Sequence, residues 1–259
     1  MENRYGTKWT YDETVIALGL YFQIPFAKVN KNTPEVVRVA KLMGRAPASL
    51  SMKIGNLGRL DPTLLSRGIS GLVNGAKMEV DVWNEYCDRI DELSIRYYEL
   101  LQSLDKERTK EINEDNSINT LPGLDGVSLS HYRINQSFFR HSVLSAYNNT
   151  CCITGLSEMK LLVASHIKPW AKCENGNERT KTENGLCLNA LHDKAFDNGL
   201  LTLDENLRVV LSGALKSAVQ CEVFKDYFVR YEGKQISLPE RGSPSEEFLS
   251  YHRENIFVF

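Results

Sequence analysis

Nothing in this chain of 259 residues approaches the length of a membrane span, and its opening, MENRYGTKW, has no apolar core of a secretion signal. An excess of one charge is lacking too. With 31 bases against 33 acids the net charge is −2, so no global field marks a nucleic-acid or membrane binder, although a segregated basic face stays open. The six cysteines (Cys87, Cys151, Cys152, Cys173, Cys187 and Cys221) include no pair at CxxC spacing. That argues against a zinc ribbon and against a secreted disulfide framework. Together these absences predict a cytoplasmic protein with reduced, mostly buried thiols and no membrane partner. A hydrophobic fraction of 42% and a charged fraction of 25% are ordinary for a globular chain, and the length accommodates two modest domains.

What is present begins with helix signals. Thr10, followed by Asp12 and Glu13, reads as a capped helix start, and Val15, Ile16, Leu18, Leu20, Tyr21 and Phe22 supply its buried face. Pro34 opens a second helix after Asn32-Thr33, with Val36, Val37, Val39, Ala40 and Leu42 buried. Gly44 punctuates, and Ala48–Leu57, led by Pro47, reads as a third. Three short helices with a tight turn before the last suggest a helix-turn-helix-like unit. From Glu35 to Lys77 there are seven bases against two acids, a local positive excess in a negative chain. Arg45, Ser49 and Lys53 are its candidate DNA contacts, since short polar and basic groups beside a recognition helix can reach base edges or phosphates. The bland reading is a helical scaffold whose bases are merely solvated. A loop from Asp61 through RGISGLVNGAK leads to one long amphipathic helix over Met78–Gln102.

Residues 104–127 are charged, poor in large apolar groups and closed by Pro122, Gly123 and Gly126, which predicts a flexible linker. The expected domains are therefore 1–103, helical, and 128–259. In the second, Phe138–Tyr147 reads as a helix and NNTCCITG as a turn region. Leu161–Val163 is a strand leading into His166 and stopped by Pro169. A polar connector precedes Asn184, a short strand over Gly185–Leu188, and a helix over Asn189–Phe196 with Asn189 as its cap. GLLTLDENLRVVLSG is a hairpin turning at Asp204-Glu205-Asn206. A final helix starts near Ser243–Glu247.

Strand, loop, strand and helix carrying VASHIKPW, then NGLCLNALH and FDNG, resemble the HNH (ββα-metal) endonuclease family, in the branch of bacterial restriction and phage-defence nucleases. The resemblance covers roughly residues 138–213. It implies an α+β chain: an N-terminal helical domain followed by a C-terminal ββα-metal nuclease domain. It further implies that His166 is the general base, Asn184 organises its loop, and His192 binds a divalent metal. The chemistry agrees. A neutral imidazole can activate water near neutral pH, and a cation can offset charge gathering on the phosphate. Lys168 is a candidate point charge for a neighbouring phosphate, and Arg140 a second. One departure stands out: Ser165 occupies the place before the base where such sites often carry an acid or a histidine. The missing oxygen is then expected from Asp193 or Asp197, from water, or from the phosphate. Asp193 and Asp197 lie i,i+4 on the helix and can share one face, although Asp197 equally suits the turn at Asn198-Gly199.

The expected function is a Mg²⁺-dependent endonuclease, with Mn²⁺ or another transition metal as alternatives, acting on double-stranded DNA as a homodimer. Two alternatives remain open at this point: a non-catalytic DNA-binding protein with a degenerate site, and a nuclease restricted to modified DNA or gated by a partner.

Overall fold

A computed structural model describes residues 7–69, 75–104, 126–218 and 221–258. They form two compact units, Met1–Phe138 and Phe139–Phe259. The linker expected over 104–127 falls almost wholly outside the described residues, as does the middle of the RGISGLVNGAK loop.

The first unit is helical. Helix α1 (Tyr11–Gln23) opens with the expected capping box: Thr10 Oγ1 accepts the Glu13 N–H, and the Glu13 carboxylate accepts the Thr10 N–H. It is buried on most sides because α3 (Pro47–Gly58), α5 (Lys77–Tyr86) and α6 (Ile90–Leu104) all pack on it. Gly19 is where Tyr97 lies against α1; a Cβ there would stand 2.3 Å from that ring. Helix α2 (Pro34–Met43) ends at Gly44, whose φ of 67° is the left-handed conformation glycine adopts without cost. Two details differ from the sequence reading. Pro62–Ser66, capped by Asp61, is a short helix, α4, rather than loop. The single helix expected over Met78–Gln102 is broken at Cys87–Arg89 into α5 and α6. Trp83 and Tyr86 before the break, and Ile90, Leu93 and Tyr97 after it, all belong to the core built on α1. The break lets two short helices wrap α1 where one straight rod would diverge from it.

The second unit mixes helix with two small ribbons. Helix α7 (Gly126–Ala146) is longer than expected, and its Phe139, Val143 and Leu144 enter the second core. Strand β1 (Leu162–His166) pairs antiparallel with β2 (Gly185–Asn189), in a register that sets His166 opposite Gly185 and Leu162 opposite Asn189. The connector between them holds α8 (Gly176–Thr180). Helix α9 (Ala190–Asp197) packs on β1 and β2, completing a ββα unit. The predicted hairpin is present as β3 (Leu201–Leu203) and β4 (Val209–Leu211). Helices α10 (Gly213–Ala218), α11 (Glu222–Tyr227) and α12 (Glu246–Asn255) follow. The C-terminal segment laces this unit by backbone bonds. The N–H groups of Ser237, Glu240, Ser245 and Val258 donate to the carbonyls of Cys152, Ala146, Glu183 and Gly199.

Candidate active site

Asn184 ties the connector to β1. It is fully buried; its Oδ1 accepts the Lys168 N–H at 2.8 Å, and its Nδ2 donates to the carbonyls of Lys168 and Glu178 at 3.1 and 3.0 Å and faces Cys173 Sγ at 3.4 Å. Only an amide supplies an acceptor and two donors from one short side chain. The backbone adds a bond from the Ile167 N–H to the Asn184 carbonyl. The result is a fixed path for the residues on either side of the loop that follows His166.

His166 is held from three directions. Its Nε2 lies 2.9 Å from the Arg179 carbonyl. A carbonyl can only accept, so Nε2 carries the proton, and the neutral ring keeps a lone pair on Nδ1. The ring stacks on Phe139 at 3.7 Å and 14°, and the edge of Trp170 meets it at 5.4 Å. Gly185 makes the stack reachable: a Cβ there would lie 2.3 Å from Val143 and 3.0 Å from Phe139, forcing α7 away. Burial lowers the imidazole pKa to about 4, partly opposed by the Arg179 carbonyl. At neutral pH the ring is therefore uncharged, with a lone pair on Nδ1, and burial makes it a weaker base than a solvated imidazole.

Successive residues of a strand point to opposite faces, so Ser165 faces away from Phe139. It is 2% exposed, and its hydroxyl makes no hydrogen bond of normal geometry. The Asp193 carboxyl is near enough to feel that hydroxyl as a donor, which lowers its pKa against the stronger upward effect of burial. Asp197, one turn further along α9 and open to solvent on one side, is also raised, first by desolvation and then by the Asp193 charge, with Lys194 opposing. Asp193 thus has the Ser165 hydroxyl on one side and the Asp197 charge on the other. The Asp193 charge disfavours ionisation of Asp197, as like charges on one helix face do. Among the described residues no group of three His, Cys, Asp or Glu side chains is placed to hold a metal ion.

His192, expected to bind the metal, has both ring nitrogens engaged within the protein. It is fully buried, with Nδ1 2.8 Å from Asn189 Nδ2 and Nε2 2.6 Å from the Tyr227 carbonyl. Asn189 Oδ1 accepts the Leu191 and His192 N–H groups, which turns its NH₂ toward the ring; Nδ1 therefore accepts and Nε2–H donates. No lone pair is left for coordination. Helical geometry carries the reason: side chains one residue apart diverge by about 100°, so His192 cannot share the face of Asp193 and Asp197.

The expected DNA contacts divide. Arg45 is 8% exposed and pairs with Glu13 at 2.7 Å; Lys53 is 7% exposed and pairs with Glu79 at 2.6 Å. Both also sit over the Trp9 ring, at 4.8 and 5.0 Å, so they are parts of a buried network and not a DNA surface. Ser49 is half-buried on α3, which also carries Met52, 62% exposed, and Asn56. Lys168 is committed to Glu178 at 2.9 Å and to the face of Tyr251, which corrects its reading as a phosphate contact. Arg140 donates to the Leu162 carbonyl at 3.0 Å, at the far end of β1 from His166. The groups that position His166, namely Phe139, Trp170 and the Arg179 carbonyl, escaped the sequence reading. They lie 27, 4 and 13 residues from it; Trp170 stands in the same VASHIKPW stretch, whereas Phe139 and Arg179 belong to no motif read with His166.

The order and geometry of β1, β2 and α9 around His166 and Asn184 agree with the comparison to known families. Residues 151–204 match the family model HNH endonuclease. The match spans the Cys151–Gly155 turn, the ββα unit and the first strand of the following hairpin. No curated protein matches the chain. The buried Cys152 and Cys187 of this HNH segment remain thiols within its core, as expected. No helix among the described residues is long and apolar enough to cross a membrane.

Proposed function

We propose that this chain is a divalent-metal-dependent endonuclease that hydrolyses DNA phosphodiester bonds. The observation that carries this reading is the state of His166 within the HNH segment: its proton is assigned to Nε2 by the Arg179 carbonyl, which leaves Nδ1 as a proton acceptor on an uncharged ring. Nδ1 takes a proton from water, the resulting hydroxide attacks phosphorus, and the 3′ oxygen departs with a proton from solvent, leaving a 5′ phosphate. Asp193 and Asp197, with Ser165 behind them, would hold the cation, which supplies Lewis-acid stabilisation of the charge on the phosphate. An all-oxygen donor set of this kind favours Mg²⁺ or Mn²⁺ over softer metals. Asn184 keeps the loop, and so the Arg179 carbonyl, in place.

The finer reading is a restriction or defence nuclease acting on duplex DNA, with the helical unit docking through the α3 face that carries Ser49, Met52 and Asn56. One HNH site cuts one strand, so a double-strand break calls for a homodimer. Plasmid cleavage in Mg²⁺, Mn²⁺, Co²⁺ or Ni²⁺ tests the proposal. Cutting is expected with at least one of them, lost with EDTA and lost in His166→Ala while DNA binding persists. Cutting by His166→Ala would remove the base assignment. One observation favours a second reading, a DNA-binding protein whose HNH site no longer holds metal: the lack of a three-ligand group among the described residues. Failure to cleave in every metal, with DNA binding intact, would select it.

A further inference from the structure

The second unit carries an apolar surface that the candidate active site does not use. Leu161, Leu191, Val223 and Tyr227 are 50, 44, 59 and 47% exposed, and all four line one open cleft of about 940 Å³. Single exposed apolar side chains are ordinary, whereas several gathered around one concavity mark a contact surface. The same cleft is lined by Asp226 and Arg230, both exposed and four residues apart, yet neither makes an ion pair among the described residues. Opposite charges that decline each other across one turn are available to a partner.

We propose that this cleft is the self-association surface of the chain, occupied by the same surface of a second copy. The charge pattern selects this occupant. A two-fold interface makes every contact twice, so a surface that meets itself must be self-complementary. One acid and one base beside an apolar centre satisfy that condition: Asp226 of each copy meets Arg230 of the other, and the leucines, Val223 and Tyr227 close over one another. A polyanion such as nucleic acid would call for an excess of positive charge, and the lining has one charge of each sign. The inference does not depend on the nuclease reading, because its readout is mass.

The test is light scattering after size exclusion on the full chain, over about 1–100 μM, the range in which modest interfaces assemble. The wild type is expected to run as a dimer. Leu191→Asp and Val223→Asp, both at exposed positions, should each shift it to monomer with an unchanged melting temperature. Asp226→Arg alone and Arg230→Asp alone should each weaken association at least about tenfold, by placing like charges opposite one another. The double reversal D226R/R230D should restore it. A wild-type monomer throughout the range overturns the proposal, as does a dimer that survives both apolar variants, or a double reversal no better than the single ones. A monomer whose DNA affinity falls in Arg230→Asp would assign the cleft to nucleic acid instead and equally overturn it.

Discussion

His192 and Asp193 are neighbours in sequence with opposite fates. His192 engages both ring nitrogens with Asn189 and Tyr227, whereas the Asp193 carboxyl is partly buried, with the Ser165 hydroxyl and the Asp197 carboxyl beside it. Replacing His192 by Ala orphans a buried amide and a buried carbonyl, so stability should fall by on the order of 2–4 kcal/mol in urea melts. Metal affinity of the folded variant, read by calorimetric titration with Mn²⁺, should be unchanged; a large loss would return His192 to the metal shell. Asp193→Asn should do the reverse, abolishing metal binding while holding or raising the melting temperature, because one of two mutually repelling charges is gone. His252 offers a pH test. Buried against Phe196, with Nδ1 near Thr202 Oγ1 and Nε2 donating to the Phe196 carbonyl, it has its pKa lowered by burial from 6.5 to about 4. A histidine depressed in the folded state binds its proton first in the unfolded one. Its contribution is complete above about pH 6.5 and fades as pH falls toward 4, amounting to on the order of 3 kcal/mol. The melting temperature should drop across that window, and His252→Gln should flatten the slope.

At the scale of elements, α9 is a platform with two working faces. Toward the interior, His192 reaches the Tyr227 carbonyl at the end of α11, and Phe196 stacks on His252 of α12. On its other side it presents Asp193 and Asp197. Asn189 sets the start of the helix by capping two N–H groups, and its NH₂ fixes the His192 ring. Asn189→Ala should therefore cost more than the roughly 1 kcal/mol of an ordinary cap, on the order of 2 kcal/mol or above in denaturant melts, because the His192 acceptor is orphaned as well. A loss no greater than an ordinary cap would mean that the ring finds another partner. The connector works by the same economy. One amide, Asn184, holds the backbone at Lys168 and Glu178, and Lys168 in turn pairs with Glu178, so these side chains fix the loop that carries the Arg179 carbonyl.

At the scale of the whole molecule, part of the local positive excess in the first third is buried in ion pairs, while Lys41, Arg67 and Lys77 stay exposed. Arg45 and Lys53 neutralise Glu13 and Glu79 beneath Trp9, and Arg59 reaches Glu79 at 3.3 Å. Truncating Lys53 to Ala leaves Glu79, which is 1% exposed, without its closest partner. The expected cost is about 3–5 kcal/mol of stability in urea, with little change in the salt dependence of DNA binding by the folded fraction. Ser49→Ala with Asn56→Ala should act the other way, weakening DNA binding at an unchanged melting temperature. A salt slope that falls by about one in Lys53→Ala would restore that side chain to the DNA surface.

Local chemistry was legible in the linear chain. The capping box at Thr10–Glu13, proline at the first turn of α2 and α3, Asn189 as a cap, and the strand–strand–helix order carrying His166 and Asn184 all depend on groups a few residues apart. The expected long helix failed at Cys87–Arg89 because each of its halves packs separately on α1. Only the tertiary structure could decide which polar groups are already engaged. Arg45 meets Glu13 across 32 residues, Lys53 meets Glu79 across 26, and His192 meets Tyr227 across 35. Burial of the His166 ring likewise comes from Phe139, on a helix 27 residues upstream in the chain. Residue types and short spacings state what a side chain is able to do; what it is left free to do depends on partners that folding brings from far along the chain.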